Sequence, residues 1–264
     1  MPIPIDKTIR QFARAVTADR FVGDELAAAV LADVDENNAD RSEAVSPRAD
    51  VFRRFVTKWR ALANPVEAPK PFSNAEFVHS LGFLPTEERL VLLLSDVCGL
   101  TRSEVEFVLD PMERSFDENL NTAREAIRIG KYGGRAVIIE DEPLIAADLR
   151  DVLEGIGVDV VALARTAEQG ARETLSQAPD IVLADFNLDG RKTGVDSVLA
   201  FQNEHICPVI FITGYPDEVL TGKDVEPDFV IAKPYRPEAV QAAVAHCLDT
   251  ARMTVIDADL AGGQ

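Results

Sequence analysis

The sequence predicts a two-part protein, in which an all-helical N-terminal half precedes a doubly wound α/β domain built on a five-stranded parallel sheet. Two observations predict this division. Up to about residue 130, apolar residues recur at helical spacing between capping residues. Beyond residue 134, apolar runs of strand length alternate with helix-length segments, which is the pattern of a parallel sheet covered by helices.

Composition and charge narrow the class of protein. The chain has 264 residues, enough for two domains, and its 47% hydrophobic and 27% charged content is that of a globular protein. A net charge of −18 argues against general nucleic-acid binding, because neutralising phosphates requires a basic surface. The cysteines lack metal-ligand spacing and indicate a reducing compartment. We therefore expect a cytoplasmic protein without a membrane span.

The first 62 residues predict one helical domain. Asp24 is a candidate N-cap, and Ser46 followed by Pro47 starts a helix whose apolar residues include Phe52 and Phe55. Residues 63–72 contain three prolines and no periodicity, so they predict a linker.

Residues 73–130 predict a second helical domain with regular helix starts. Thr86 opens one helix and Gly99 closes it. A short turn from Asp110 to Arg114 separates two helices with the proportions of a helix-turn-helix. Three capping boxes are predicted, at Ser73 with Glu76, Thr101 with Glu104, and Ser115 with Glu118.

The segment from Leu84 to Arg124 resembles the promoter-reading region of extracytoplasmic-function sigma factors, and residues 8–62 resemble the other conserved region of that family. The apolar frame of the helix-turn-helix is kept at Val105, Leu109, Phe116 and Leu120. Sigma factors place basic residues on the exposed face of the second helix, whereas this sequence places Asp117, Glu118 and Asn119 there. Between residues 110 and 130, five acidic residues stand against three basic ones. Such a surface should repel DNA.

Polar residues follow four of the apolar runs in the C-terminal half. Residues 136–139 precede Glu140, Asp141 and Glu142, and residues 181–184 precede Asp185. Residues 208–212 precede Thr213, and residues 229–232 precede Lys233. Parallel strands present their carboxyl ends at one edge of the sheet. Carboxylates, a hydroxyl and an ammonium at that edge predict a phosphoryl-transfer site that holds a hard divalent ion.

Residues 134–251 resemble a response-regulator receiver domain, which has a flavodoxin-like fold. The resemblance implies that Asp185 accepts a phosphoryl group from a histidine kinase or phosphotransferase, with no other enzymatic activity. It also implies that Mg²⁺ is held by Glu140, Asp141, Asp185 and the backbone carbonyl of Asn187. Thr213 and Lys233 match the residues that sense the phosphoryl oxygens.

The switch residues of the receiver depart from the common pattern. Many receivers carry an aromatic residue three positions before the lysine, where this sequence has Val230, with Phe229 one position earlier. Residues 211–215 resemble a variant receiver subclass, and Tyr215 is a candidate switch residue. Whether Tyr215 takes that role or is a surface turn residue stays open at the level of sequence.

The order of parts, joined by a short hinge at residues 130–134, resembles the PhyR-type anti-anti-sigma response regulators of the alphaproteobacterial general stress response. That resemblance implies that the receiver masks the sigma-like domain until Asp185 is phosphorylated. The freed domain then sequesters a NepR-like anti-sigma factor, which releases an extracytoplasmic-function sigma factor. Candidate partner-binding residues are Phe116, Asp117, Glu118 and Leu120. Residues 252–264 are a C-terminal tail.

The sequence leaves two alternatives. The first is a DNA-binding transcriptional response regulator, which the acidic second helix argues against. The second is a receiver coupled to an effector enzyme in the helical half. That half contains no nucleophile–base pair or metal-ligand cluster in its sequence, and His79 is its only histidine.

Overall fold

The computed structural model describes residues 3–36, 45–62, 84, 86–130, 132–188, 193–219 and 227–262. The predicted linker at 63–72, the predicted capping box at Ser73 and Glu76, and residues 189–192 lie outside these ranges. The chain divides into two compact units, residues 3–126 and residues 127–264. Among the described residues, no helix is both long enough and apolar enough to cross a bilayer.

The first unit is helical, as predicted. Its elements are α1 (Ile5–Thr17), α2 (Arg20–Glu36), α3 (Pro47–Leu62), α4 (Thr86–Leu92), a π-helical turn (Leu93–Val97), α5 (Arg102–Leu109) and α6 (Phe116–Gly130), whose last turn extends into the second unit. Buried aromatic rings join α1 to α3: the ring of Phe12 meets those of Phe52 and Phe55 edge-on, with centroids 5.2 and 5.5 Å apart. Such contacts add to the stabilisation that burial of the rings provides.

One predicted helix start is wrong. Asp24 was a candidate N-cap, but it lies inside α2. Its carboxylate accepts two hydrogen bonds from the guanidinium of Arg14, both 2.6 Å, and two longer ones from Arg10. Burial raises the pKa of Asp24, but the two arginines outweigh burial and lower it below its ordinary value. The acid therefore ties α1 to α2.

The predicted starts of α3, α5 and α6 are confirmed. Pro47 begins α3, and the backbone N–H of Ala49 donates to Ser46 Oγ. Thr101 and Glu104 form a capping box at α5. Ser115 and Glu118 exchange the same bonds at α6. Gly99, with φ of +70°, follows the π-helical turn and ends the preceding helix.

The second unit contains the predicted five-stranded parallel sheet. Its strands are β1 (Arg135–Ile139), β2 (Asp159–Ala164), β3 (Ile181–Asp185), β4 (Val209–Thr213) and β5 (Phe229–Ala232), in the order β2-β1-β3-β4-β5. Between and after them lie α7 (Pro143–Glu154), α8 (Ala167–Gln177), α9 (Gly194–Phe201), α10 (Pro216–Val219) and α11 (Pro237–Gly262). Every residue of β3 and β4 is buried, as a central parallel strand requires. The backbone of residues 252–262, predicted as a tail, continues α11.

Candidate functional site

The site lies where four strands end. Strand β1 runs into Glu140, β3 ends at Asp185, β4 ends at Thr213, and Lys233 follows β5 directly. The register places Asp185 beside Ile212 and Thr213 beside Ala232 in neighbouring strands. Because the order is β1-β3-β4-β5, these four residues stand in a row along one edge of the sheet.

Lys233 bridges two of the carboxylates. Its Nζ donates to Asp185 Oδ2 at 2.7 Å and to Glu140 Oε2 at 2.9 Å. The other oxygen of each acid accepts a backbone N–H, from Asn187 at 3.1 Å and from Glu142 at 3.3 Å. All four carboxylate oxygens of the pair therefore have a donor, and both side chains are fixed in orientation.

Burial sets the electrostatics of the site. Glu140 is only 1% exposed and Asp185 7% exposed. Burial raises the pKa of Glu140 and the charge of Asp185 adds to that rise, while the bond from Lys233 opposes it. Burial lowers the pKa of Lys233, but its bonds to Asp185 and Glu140 outweigh burial and raise it. The lysine therefore stays charged between the two acids.

The acid cluster offers ligands that suit a hard divalent cation. One oxygen each from Glu140, Asp141 and Asp185 lies within 4.8 Å of the other two. Lys233 offsets only one of these three carboxylates. Carboxylate oxygens are the ligands that Mg²⁺ and Ca²⁺ prefer. The donor set, its spacing and its uncompensated charge therefore fit Mg²⁺, and exposed Asn187 lies two residues beyond Asp185.

Thr213 and Tyr215 have different surroundings. Thr213 is fully buried, and its Oγ1 accepts the backbone N–H of Tyr215 at 3.0 Å. The side chain of Tyr215 is 59% exposed. Phe229 is buried with its ring edge-on to His246, and Val230 is fully buried in β5. Of the switch candidates, Tyr215 is thus the aromatic residue at the surface.

Gly194, the first residue of α9, lies close against the backbone of Asp185. A Cβ atom added at Gly194 would lie 2.2 Å from the carbonyl oxygen of Asp185 and 3.1 Å from the ring of Phe211. The N–H of Gly194 also donates to the carbonyl of Phe186 at 3.0 Å. Only glycine permits so close an approach of α9 to the end of β3.

Three residues at this edge were not identified from the sequence. The guanidinium of Arg165 donates to the carbonyl of Asp141 at 3.2 Å. The hydroxyl of Tyr235 donates to Asp148 Oδ2 at 2.7 Å. Tyr235 lies only two residues after Lys233, which was the one available signal; Asp148 and Arg165 join the edge through tertiary contacts that no motif marks.

The second helix of the helix-turn-helix exposes fewer residues than predicted. Asp117 and Glu118 are exposed, and Asp117 pairs with Arg102, whose guanidinium lies over the ring of Phe116. Phe116 and Leu120 are buried, so neither offers a surface for direct contact.

The prediction that Asn119 is exposed is wrong. Asn119 is fully buried, and its amide donates to Glu87 Oε2 at 3.1 Å and to the carbonyl of Arg114 at 3.3 Å. Asn119 follows the charged residues Asp117 and Glu118 in the sequence, but its amide faces the interior, where Glu87 accepts its hydrogen bond.

Comparison with known proteins identifies both parts of the chain. Residues 136–245 match the response regulator receiver domain family. The phyllosphere-induced regulator PhyR of Methylorubrum extorquens is 32% identical over 241 residues, which cover 91% of this chain and 90% of that protein.

Solved structures extend the likeness to the whole fold. The response regulator PhyR of Brucella abortus is 30% identical with a TM-score of 0.77, over 97% of this chain and 95% of that chain. The anti-anti-sigma factor PhyR of Bartonella quintana is 28% identical with a TM-score of 0.77, over 97% of this chain and 100% of that chain. The Bartonella protein has also been solved in complex with the anti-sigma factor NepR.

Proposed function

Because this chain belongs to the PhyR family of response regulators, we propose that it acts by partner switching under the control of phosphorylation at Asp185. Phosphorylation frees the sigma-like domain to sequester a NepR-like anti-sigma factor. The sigma factor that this partner had inhibited is released for stress transcription. The observation that carries the proposal is the likeness to PhyR proteins over both parts of the chain, the helical half and the receiver alike.

Phosphoryl transfer to Asp185 follows from the chemistry of the site. A carboxylate oxygen attacks the phosphorus of a phosphohistidine donor, forming an O–P bond. The N–P bond breaks, and its electron pair stays on the imidazole nitrogen. Lys233, already 2.7 Å from Asp185, supplies a fixed positive charge for the phosphoryl oxygens. The site is preorganised, because the lysine needs no large movement to act.

We assign the Mg²⁺ site to Glu140, Asp141, Asp185 and the carbonyl of Asn187. The cluster of three carboxylates supports this assignment. A bound Mg²⁺ neutralises charge on the transferring phosphoryl group. The chain's own contribution is to hold the three carboxylates within reach of one another and to keep Asp185 largely buried.

Thr213 carries the response towards Tyr215. A phosphoryl group on Asp185 adds acceptor oxygens that the Thr213 hydroxyl can bind. That hydroxyl now accepts the N–H of Tyr215, so a change at Thr213 acts directly on the backbone of the exposed aromatic residue.

The helical half binds protein and not promoter DNA. The exposed carboxylates of Asp117 and Glu118 stand where a DNA reader needs positive charge. Asp117 and Glu118 are candidate contacts for the anti-sigma factor. Phe116 and Leu120 are buried and pack α6 against the rest of the helical unit.

Two titrations of the full chain test this choice. In the presence of beryllofluoride and Mg²⁺, one uses a purified NepR-like anti-sigma factor and the other a promoter duplex at low salt. We expect the chain to bind the anti-sigma factor and not the duplex. Salt-dependent binding to the duplex, with none to the anti-sigma factor, would identify a DNA-binding response regulator instead.

A further inference from the structure

A hydrogen bond on the outside of the site connects its two halves. The hydroxyl of Tyr235 donates to Asp148 Oδ2 at 2.7 Å. Tyr235 belongs to the segment that follows Lys233, whereas Asp148 belongs to α7, which begins directly after the acid triplet 140–142. The bond therefore links the segment that carries the lysine to the helix that follows the acids.

Lys233 is held from three directions. Its backbone N–H donates to the carbonyl of Thr213 at 2.7 Å, which fixes the chain on the side of β4. Its Nζ is fixed by Asp185 and Glu140. Tyr235 fixes the chain two residues later, before α11 begins at Pro237. The bond to Asp148 is thus one anchor of the segment between Lys233 and α11.

The hydroxyl of Tyr235 is a permanent donor. Burial raises its pKa, and the bond to Asp148 and the charge of Glu140 raise it further. The phenol is therefore protonated throughout the range in which the protein works. The charged acceptor strengthens the bond relative to one between neutral groups, while the exposure of Asp148 lets water compete for it.

We propose that Tyr235 is a positioning residue for phosphoryl uptake, which acts through Asp148 to keep Lys233 aligned with Asp185. This inference rests on the function proposed above. A fixed ammonium stabilises developing phosphoryl charge only at close range, and small displacements of a catalytic group are costly. Tyr235 itself does not touch the reacting atoms; its effect passes through the segment 233–235.

The test measures the affinity of the full chain for beryllofluoride at saturating Mg²⁺, by calorimetry. Tyr235→Phe removes one oxygen atom, and Asp148→Ala removes its acceptor. Each is expected to weaken binding about three- to tenfold, the range for loss of one hydrogen bond. The double variant should bind no more weakly than either single variant, because both remove the same bond.

Three controls separate positioning from general stability. Asp148→Asn keeps an acceptor oxygen and should lose less affinity than Asp148→Ala. Asp151→Ala, exposed on the same helix, should leave the affinity unchanged. In Tyr235→Phe, Mg²⁺ affinity without beryllofluoride should fall less than beryllofluoride affinity does, because Glu140 and Asp185 keep their bonds from the backbone N–H groups of Glu142 and Asn187 when Lys233 shifts.

The results that would overturn the inference are distinct from those that would overturn the proposed function. If the original chain binds beryllofluoride and Tyr235→Phe binds it equally well, the positioning role is wrong, even if the melting temperature falls. Losses in the two single variants that add in the double variant would also overturn it. If the original chain itself does not bind beryllofluoride with Mg²⁺, the phosphorylation site is wrong, and this inference is wrong with it.

Discussion

At the scale of single residues, the proposed phosphorylation site joins Lys233 to acids that repel each other. Lys233 bridges Glu140 and Asp185, and Asp141 adds a third carboxylate within 4.8 Å. Burial strengthens both the attraction to the lysine and the repulsion between the acids. The raised pKa of Glu140 shows that burial and repulsion outweigh the lysine at that residue.

Glu140→Gln should therefore stabilise the Mg²⁺-free protein. Burial raises the pKa of Glu140 above its ordinary value of 4.5, so the ionised side chain opposes folding. That cost is absent below pH 4.5 and grows as the pH rises towards the folded-state pKa. We expect a melting temperature higher by about 2–4 °C for each kcal/mol recovered at pH 7.5, and no gain at pH 4.

The same variant tests the proposed Mg²⁺ site. Mg²⁺ at ten times its dissociation constant should stabilise the original chain by about 1.4 kcal/mol, and Glu140→Gln by clearly less. Thermal unfolding with and without Mg²⁺ measures both. Equal Mg²⁺ effects in the two proteins would remove Glu140 from the ligand set.

Gly194→Ala tests the close approach to Asp185. The new Cβ would lie 2.2 Å from a backbone carbonyl that cannot move without moving the end of β3. We expect a loss of about 1–3 kcal/mol in the free energy of unfolding, measured in urea. Gly214→Ala is the matched control, because a Cβ there meets nothing within 4 Å. A variant as stable as the control would contradict the packing described.

At the scale of elements, Glu87 organises the helix-turn-helix from α4. Its two carboxylate oxygens accept the backbone N–H groups of Glu113 and Arg114, at 3.0 and 3.3 Å, and the amide of Asn119 at 3.1 Å. One side chain thus fixes both the turn and the first helical turn of α6. The exposed face of α6, with Asp117 and Glu118, takes its orientation from this contact.

Glu87→Ala should loosen that turn. The variant removes the acceptor of two backbone N–H groups and of the buried Asn119 amide. We expect the free energy of unfolding to fall by about 1–3 kcal/mol. Glu113→Ala is the control, because its side chain is exposed and its N–H is unchanged. Faster hydrogen exchange at residues 113 and 114 in Glu87→Ala alone is expected; identical exchange in both variants would contradict the role of Glu87.

The elements also show how far sequence reasoning reaches. The four strand ends and the parallel sheet were predictable, because short apolar runs between helix-length segments leave few topologies. The capping boxes at Thr101 and Ser115 were predictable because they are local. Asp24 and Asn119 were misassigned for the opposite reason, since their partners lie 10 and 32 residues away in the chain.

Tyr235 and Asp148 were missed for the same physical reason. They are separated by 87 residues and meet because the chain after β5 and the first turns of α7 both lie at the carboxyl ends of the strands. Gly194 gave no signal either, since a glycine at a helix start has many uses and only the distance to the carbonyl of Asp185 identifies this one.

At the scale of the whole molecule, two parts with different surface chemistry share one chain. The receiver contributes a cluster of carboxylates that can hold a divalent cation. The helical half exposes carboxylates at positions where a promoter-binding protein needs positive charge. A switch of this kind depends on a difference in free energy between the phosphorylated and unphosphorylated states. Coupling of about 1–3 kcal/mol, or about 5- to 150-fold in affinity, is typical.

The most direct test is the affinity of the full chain for a NepR-like anti-sigma factor, by calorimetry, with and without beryllofluoride and Mg²⁺. We predict binding at least about fivefold tighter with the phosphate mimic. Asp185→Ala should bind with the same affinity under both conditions, because it lacks the acceptor carboxylate. Equal affinity of the original chain in the two conditions would contradict control by phosphorylation.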